Sequence, residues 1–198
     1  QCFGLVGPFE REVIRPGVLG AFPDLLVAAT KHPAMQVYLD NFRSIGPDSP
    51  VGSRRERGLN ENHAREILEL HTLGVDSYTQ DDVVALANML TGWTVGEDGT
   101  FAFARRRHQP GAQTLLGVRY SAATEEQAES ALRDLALHPA TARRLSWRMA
   151  RHFVADEPPA AVVADLEAAY LRTGGSIRAM ANALIDSPAA WSLSLIHI

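Results

Sequence analysis

Residues 58 to 74 read GLNENHAREILELHTLG, and within them Glu61, Arg65, Glu66 and His71 are the side chains whose types could do chemistry. A carboxylate serves as general acid or base, a guanidinium steadies developing negative charge, and an imidazole carries protons near neutral pH. His108, directly after Arg105-Arg106-Arg107, is a second imidazole that would have to arrive from a distant part of the chain. The set is incomplete as written, because no serine elbow between glycines and no glycine-rich phosphate loop accompanies it. His63-x-x-Glu66 and Glu69-x-His71 do not combine into ligand pairs one helical turn apart, so neither a metal nor a cofactor is expected.

What must position these groups is a helix. At about 100° per residue, Asn60, Ala64, Ile67, Leu68 and His71 share one side, and Glu61, Asn62, Arg65, Glu66 and Glu69 share the other. Two readings stay open. His71 is either a proton carrier or a core histidine with a satisfied ring, and the ionic side is either solvated or, if another layer covers it, a site. Glu61 and Arg65 stand at i, i+4, a spacing that contributes only about 0.2–0.5 kcal/mol when exposed.

Helical periodicity dominates the rest of the 198 residues. Helices are expected at 23–31, 34–40, 60–72, 79–91, 125–137, 139–154, 159–172 and 176–185. Thr79 and Asp82 form a capping-box start, and Gly92 stands where a C-terminal cap belongs. His-Pro-Ala recurs at 32–34 and 138–140, and Ser-Pro-Ala at 187–189, a shared way of ending one helix and starting the next. Residues 41–58 hold a dense run of Pro, Gly and Ser, expected to be a long surface loop, and residues 100–117 are the one hairpin candidate. The fold class is therefore mainly α, a helical bundle of antiparallel helix pairs with one small β-hairpin. In HPATARRLSWRMARHFV, Ala142, Leu145, Met149 and Phe153 are expected to face inward, and Arg143, Arg144, Arg148 and Arg151 to project around Trp147. Such arginines around an aromatic ring can hold an anion.

Composition bounds the function. Apolar residues at 46% and charged residues at 21% describe an ordinary globular protein, and no apolar run approaches the roughly 20 residues of a membrane span. A formal charge of −4 argues against a generic nucleic-acid binder. Cys2 is the only cysteine, which excludes an internal disulfide. The chain opens at Gln1 without Met or a leader, and the closing residues 193–198, LSLIHI, match the translation of a sequencing-library transposon end. One helical domain over 1–192, cut at both ends, with a non-native tail at 193–198, is the resulting expectation.

The stretch GLNENHAREILELHTLGVDSYTQDDVVALANMLTGW resembles the signature of the bacterial family called domain of unknown function 1800. The likeness extends through HPAMQVYLDN, RRHQPGAQTLLGVRY, HPATARRLSWRMARHFVADEPP and DSPAAW, nearly the whole chain. The resemblance implies large, mainly helical bacterial proteins, often exported to the periplasm or cell surface, and often encoded beside partners resembling exported sulfatases or phosphatases. No established reaction comes with it. Its signature includes Asn60, Glu61, Asn62, Arg65, Glu66, Glu69, Trp93 and His108; of these Asn60, Asn62, Glu69 and Trp93, with Arg107 beside His108, are the expected binding residues. Relatives place an aromatic or aliphatic residue where this chain has His63, so His63 is not expected to be a shared catalyst.

An exported interaction or scaffold protein, using the Asn60–Asn62 helix, the 41–58 loop and the hairpin as a polar surface, is the leading expectation. The rival is a hydrolase-like enzyme working through Glu61 or Glu66, Arg65, and His71 or His108. A third reading is polyanion binding by the arginines between 143 and 151.

Overall fold

The computed structural model describes residues 3–54, 58–121 and 124–191; the expected tail at 193–198, like Cys2, lies outside them. Helix α1 (Phe3–Phe9) runs through a π-helical stretch, Glu10–Ile14, into the short turn α2 (Arg15–Gly17), all of it ahead of the first expected helix. Helices α3 (Phe22–Lys31) and α4 (Pro33–Tyr38) follow. Their junction shows what the His-Pro-Ala motif does. His32 Nδ1 accepts a bond from Ala34 N–H at 3.1 Å, and Pro33 occupies a first-turn position where a missing N–H costs nothing. His138 repeats this at the start of α8 (Pro139–Phe153), accepting from Ala140 N–H at 3.2 Å.

The opening stretch is helical, but not as one continuous α-helix. It forms α5 (Asn62–Glu66) and then a π-helical turn, Ile67–His71, before Gly74 ends it at φ 92°. The wider turn is closed by Thr72, whose hydroxyl donates to the Ile67 carbonyl at 2.7 Å. Ala64, Ile67 and Leu68 are buried as their spacing requires, and so is His63, whereas His71 is only half-buried. Helix α6 (Gln80–Leu90) starts on the expected capping box: Thr79 Oγ1 accepts from Asp82 N–H, and Asp82 Oδ2 accepts from Thr79 N–H at 2.8 Å. Asp82 Oδ1 also accepts from Leu116 N–H at 2.7 Å, which ties the helix start to the β region.

The β structure differs from a single hairpin across 100–117. Strand β1 (Trp93–Val95) pairs antiparallel with β2 (Phe101–Phe103), and β3 (Gln113–Leu115) pairs with β4 (Val118–Tyr120). Each half of the expected hairpin thus pairs outward with a neighbour, because Arg105–Arg107 form a 3₁₀ turn that breaks the extended run. Helices α7 (Glu125–Leu137), α9 (Ala160–Arg172) and α10 (Ile177–Asp186) complete a mainly α fold.

Two apolar clusters hold it together. The first gathers Leu26, Ile67, Leu68, Leu86, Leu90, Trp93, Leu115 and Leu132 from α3, the opening helix, α6, the hairpins and α7. The second gathers Ala142, Ala150, Val162, Leu166, Tyr170 and Met180 from α8, α9 and α10, and Phe22 packs on both. Tyr170 Oη donates across to the Ala136 carbonyl at 2.7 Å, and Phe22 N–H donates to the Gly175 carbonyl at 2.8 Å. Of the residues expected inward on α8, Ala142 is buried and Leu145 and Met149 pack against the second cluster, but Phe153 is 67% exposed, and Ser146 and Ala150 are buried as well. Small side chains on that face let α9 approach closely, and the bulkier residues are pushed to its flanks. No helix among the described residues is long and apolar enough to cross a membrane.

Candidate functional site

The polar face of the opening helix is open and already committed to itself. Glu61 Oε2 accepts from Arg65 Nη2 at 3.2 Å and from Gln80 Nε2 at 2.8 Å, and Arg65 Nη2 donates to Gln80 Oε1 at 2.9 Å. Glu69 Oε2 accepts from Tyr78 Oη at 3.1 Å. Asn60 works on the backbone: its Nδ2 donates to the Leu39 carbonyl at 3.1 Å, its Oδ1 accepts from Asn62 N–H at 2.9 Å, and its own N–H donates to Ser44 Oγ. It therefore starts the helix and ties it to the preceding loop. Asn62 is exposed.

Beneath that face lie two histidines. His63 is wholly buried, neither ring nitrogen has a hydrogen-bond partner among the described residues, and its pKa falls to about 3 through burial, with His71 adding repulsion. The pKa of His71 is also lowered, chiefly by burial; Glu66 pulls it up and Arg148 of α8 pushes it down. Glu66, His71 and Arg148 thus share one electrostatic neighbourhood. His63 was detectable in the sequence, since it stands four residues before Ile67 and so widens the apolar stripe.

His108 belongs to a different part of the molecule. Its Nδ1 lies 2.7 Å from the Thr91 carbonyl, which can only accept, so Nδ1 carries the proton. Phe103 meets the ring edge-on at 5.2 Å, and burial lowers its pKa. No hydrogen bond or cleft among the described residues joins it to Glu61, Arg65, Glu66 or His71. Arg107 donates through Nη2 to the Phe42 carbonyl at 2.7 Å and clamps the 41–54 loop. Trp93 is fully buried against Phe101, with Lys31 Nζ 5.4 Å from the ring centroid. That lysine, the only one in the chain, also pairs with Glu125 and Glu129; burial alone would lower its pKa, but these carboxylates leave it raised. Its role escaped sequence reading because its partners are about a hundred residues away along the chain.

A cleft of about 900 Å³ lies between the starts of α8 and α9 and the turn after the opening helix. Leu73, Pro139, Ala140, Val163 and Ala164 supply apolar walls, and Trp147, Arg143 and Arg144 supply the rim. Arg143 pairs with Glu167 at 3.5 Å, Arg151 stacks over Trp147 at 5.0 Å, and Arg148 donates to the Leu70 carbonyl at 3.3 Å. Arg144 differs. It lies over Gly74, its Nε is buried, and no ion pair or hydrogen bond engages it among the described residues. Leu70 and Val75, on the segment flanking the cleft, are exposed.

The model of one family, described as a protein of unknown function (DUF1800), matches residues 2–197. No curated protein and no solved structure matches the chain. Since that match spans nearly all of the chain, the protein belongs to the DUF1800 family.

Proposed function

We propose that this chain is a bacterial, exported interaction module that captures a partner protein in the cleft between α8 and α9. The observation that carries the reading is Arg144, a cation with no ion pair or hydrogen bond among the described residues, set beside exposed Trp147 on a cleft with apolar walls. Tryptophan and arginine over apolar walls are the residue types that dominate binding energy at protein interfaces. The complementary occupant is a segment with an apolar side chain flanked by a carboxylate. Family likeness points to a partner akin to exported sulfatases or phosphatases, and we assign the segment to that class. Export to the periplasm or cell surface rests on the same likeness.

A hydrolytic role has less support, because Glu61 and Arg65 are bonded to Gln80 on an open face and His108 is held at Thr91. The test is the affinity of the full chain for the purified partner encoded beside it. Arg144→Glu and Trp147→Ala should each weaken capture by tenfold or more, and Glu66→Gln should leave it within twofold. Capture indifferent to both cleft substitutions, or a hydrolytic activity of the chain abolished by Glu66→Gln with folding intact, would overturn the reading.

A further inference from the structure

A second concavity, with lining residues distinct from those of the cleft, is built from two segments about sixty residues apart. Gly46 N–H donates to the Arg107 carbonyl at 2.8 Å and Val51 N–H to the Arg106 carbonyl at 3.2 Å. Gln109 completes the seam with both ends of its amide: Oε1 accepts from Asp48 N–H at 3.0 Å and Nε2 donates to Asp48 Oδ2 at 2.8 Å. The approach tolerates no side chain at its closest points. A Cβ on Gly46 would stand 2.5 Å from Gln109 Cα, and one on Gly52 would fall on the Gly46 carbonyl oxygen. This part of the expected loop is therefore a fixed frame.

The frame encloses a depression of about 500 Å³. Arg54 reaches it from the 3₁₀ turn Gly52–Arg54, and Arg105 and Arg106 from the 3₁₀ turn Arg105–Arg107, with Pro50, Val51 and Ala104 between them. No carboxylate lines it, and none of these three guanidinium groups has an ion pair or hydrogen bond among the described residues. Asp48, the one carboxylate in the described part of the 41–54 loop, is occupied by Gln109. Guanidinium groups stay charged at any physiological pH, so three of them held together without a counter-charge repel one another until an anion enters. Their planar donor forks match the oxygens of a tetrahedral oxyanion.

We propose that this depression binds a small ligand carrying a phosphate or sulfate ester, its anionic group held by Arg54, Arg105 and Arg106 and its neutral body lying on Pro50, Val51 and Ala104. The size is that of a small-molecule site, about 300–1,000 Å³. No aromatic ring among the described residues lines it, so these residues offer no platform for stacking a nucleobase, and the chain's net charge of −4 also disfavours a nucleic acid strand.

Calorimetric titration of the full chain with glucose 6-phosphate and with glucose 6-sulfate tests this. Saturable one-to-one binding of at least one, weakening as salt rises, is expected; whichever ester binds more tightly identifies the source of the oxyanion. The double variant Arg54→Ala, Arg106→Ala should weaken binding at least tenfold. A double variant of two remote exposed arginines, Arg119→Ala, Arg178→Ala, makes the same change in net charge and should stay within twofold. Arg105→Gln, a milder change, should weaken binding at least threefold and serves if the first variant does not fold. Absence of saturable binding to either ester, or equal losses in the near and remote variants, would overturn the proposal. Arg144→Glu should leave ester binding unchanged, so a failure here and a failure of partner capture are read separately.

Discussion

Two stretches of this chain are rich in arginine, and the fold treats them differently. Along α8, Arg143, Arg148 and Arg151 are spent on Glu167, the Leu70 carbonyl and the Trp147 ring, which leaves Arg144, unpaired among the described residues, at the cleft. At the other stretch Arg107 is bonded to the Phe42 carbonyl, whereas Arg54, Arg105 and Arg106 face a depression that no carboxylate among the described residues lines. In sequence only the helical stretch reads as an anion site, since it interleaves four arginines with a tryptophan. The structure redistributes that strength: a charge counts by what remains unpaired once distant chain segments have closed around it.

The comparison can be broken at its frames. The largest effect is expected for Gly52→Val, which drives a branched side chain into the Gly46 carbonyl and should cost about 3 kcal/mol, read as a lowered denaturant midpoint. Ester binding should vanish with it while partner capture survives in whatever fraction stays folded. Loss of capture with retained ester binding would reverse the assignment of the two sites.

Acid comes next, acting on the helix that borders the cleft. The folded pKa of His63, about 3, lies below its ordinary value of 6.5, so folding disfavours its proton. Its contribution to stability is complete above pH 6.5 and is lost progressively as pH falls toward 3. At pH 5 the loss amounts to about 2 kcal/mol, from about 1.4 kcal/mol per pH unit. Chemical denaturation of the native chain and of His63→Leu at pH 7 and pH 5 checks this, and the substitution should remove most of the difference. The smallest effect is expected for Tyr170→Phe, which deletes the bond to Ala136 joining the two apolar clusters, at a cost of about 1 kcal/mol in thermal or denaturant unfolding.

Elements whose determinants are local were legible in the sequence. His32 and His138 before proline, Thr79 with Asp82, and Ser176 ahead of α10 each announce a helix start through a side chain that accepts a backbone N–H. Elements set by remote partners were not. Phe101 and Phe103 alternate as a strand should, but their pairing with Trp93–Val95 depends on the turn at Glu97–Gly99 and on Arg105–Arg107 breaking the chain afterwards. On α8 the inward positions Ala142, Leu145 and Met149 were legible, but Phe153 at the helix end is exposed, and close approach by α9 also buries the small Ser146 and Ala150.

The candidate site was legible only as a list of residues. Glu61, Arg65, Glu66 and His71 do lie along one helix, and a π-helical turn that periodicity cannot show alters how far His71 turns inward. His108 and Arg107 were singled out for their chemistry, and both are anchored to backbone carbonyls. The cleft and the depression each need segments from separate parts of the chain, so neither has a signature in any single stretch.

Hydrogen exchange of the full chain, alone and with a purified sulfatase- or phosphatase-like protein of the class proposed as its partner, tests partner capture most directly. Protection confined to residues 73–77, 139–147 and 158–167 is the predicted result, with amides of 60–66 unchanged. Protection centred on 60–66, or no protection at saturating partner, would contradict it.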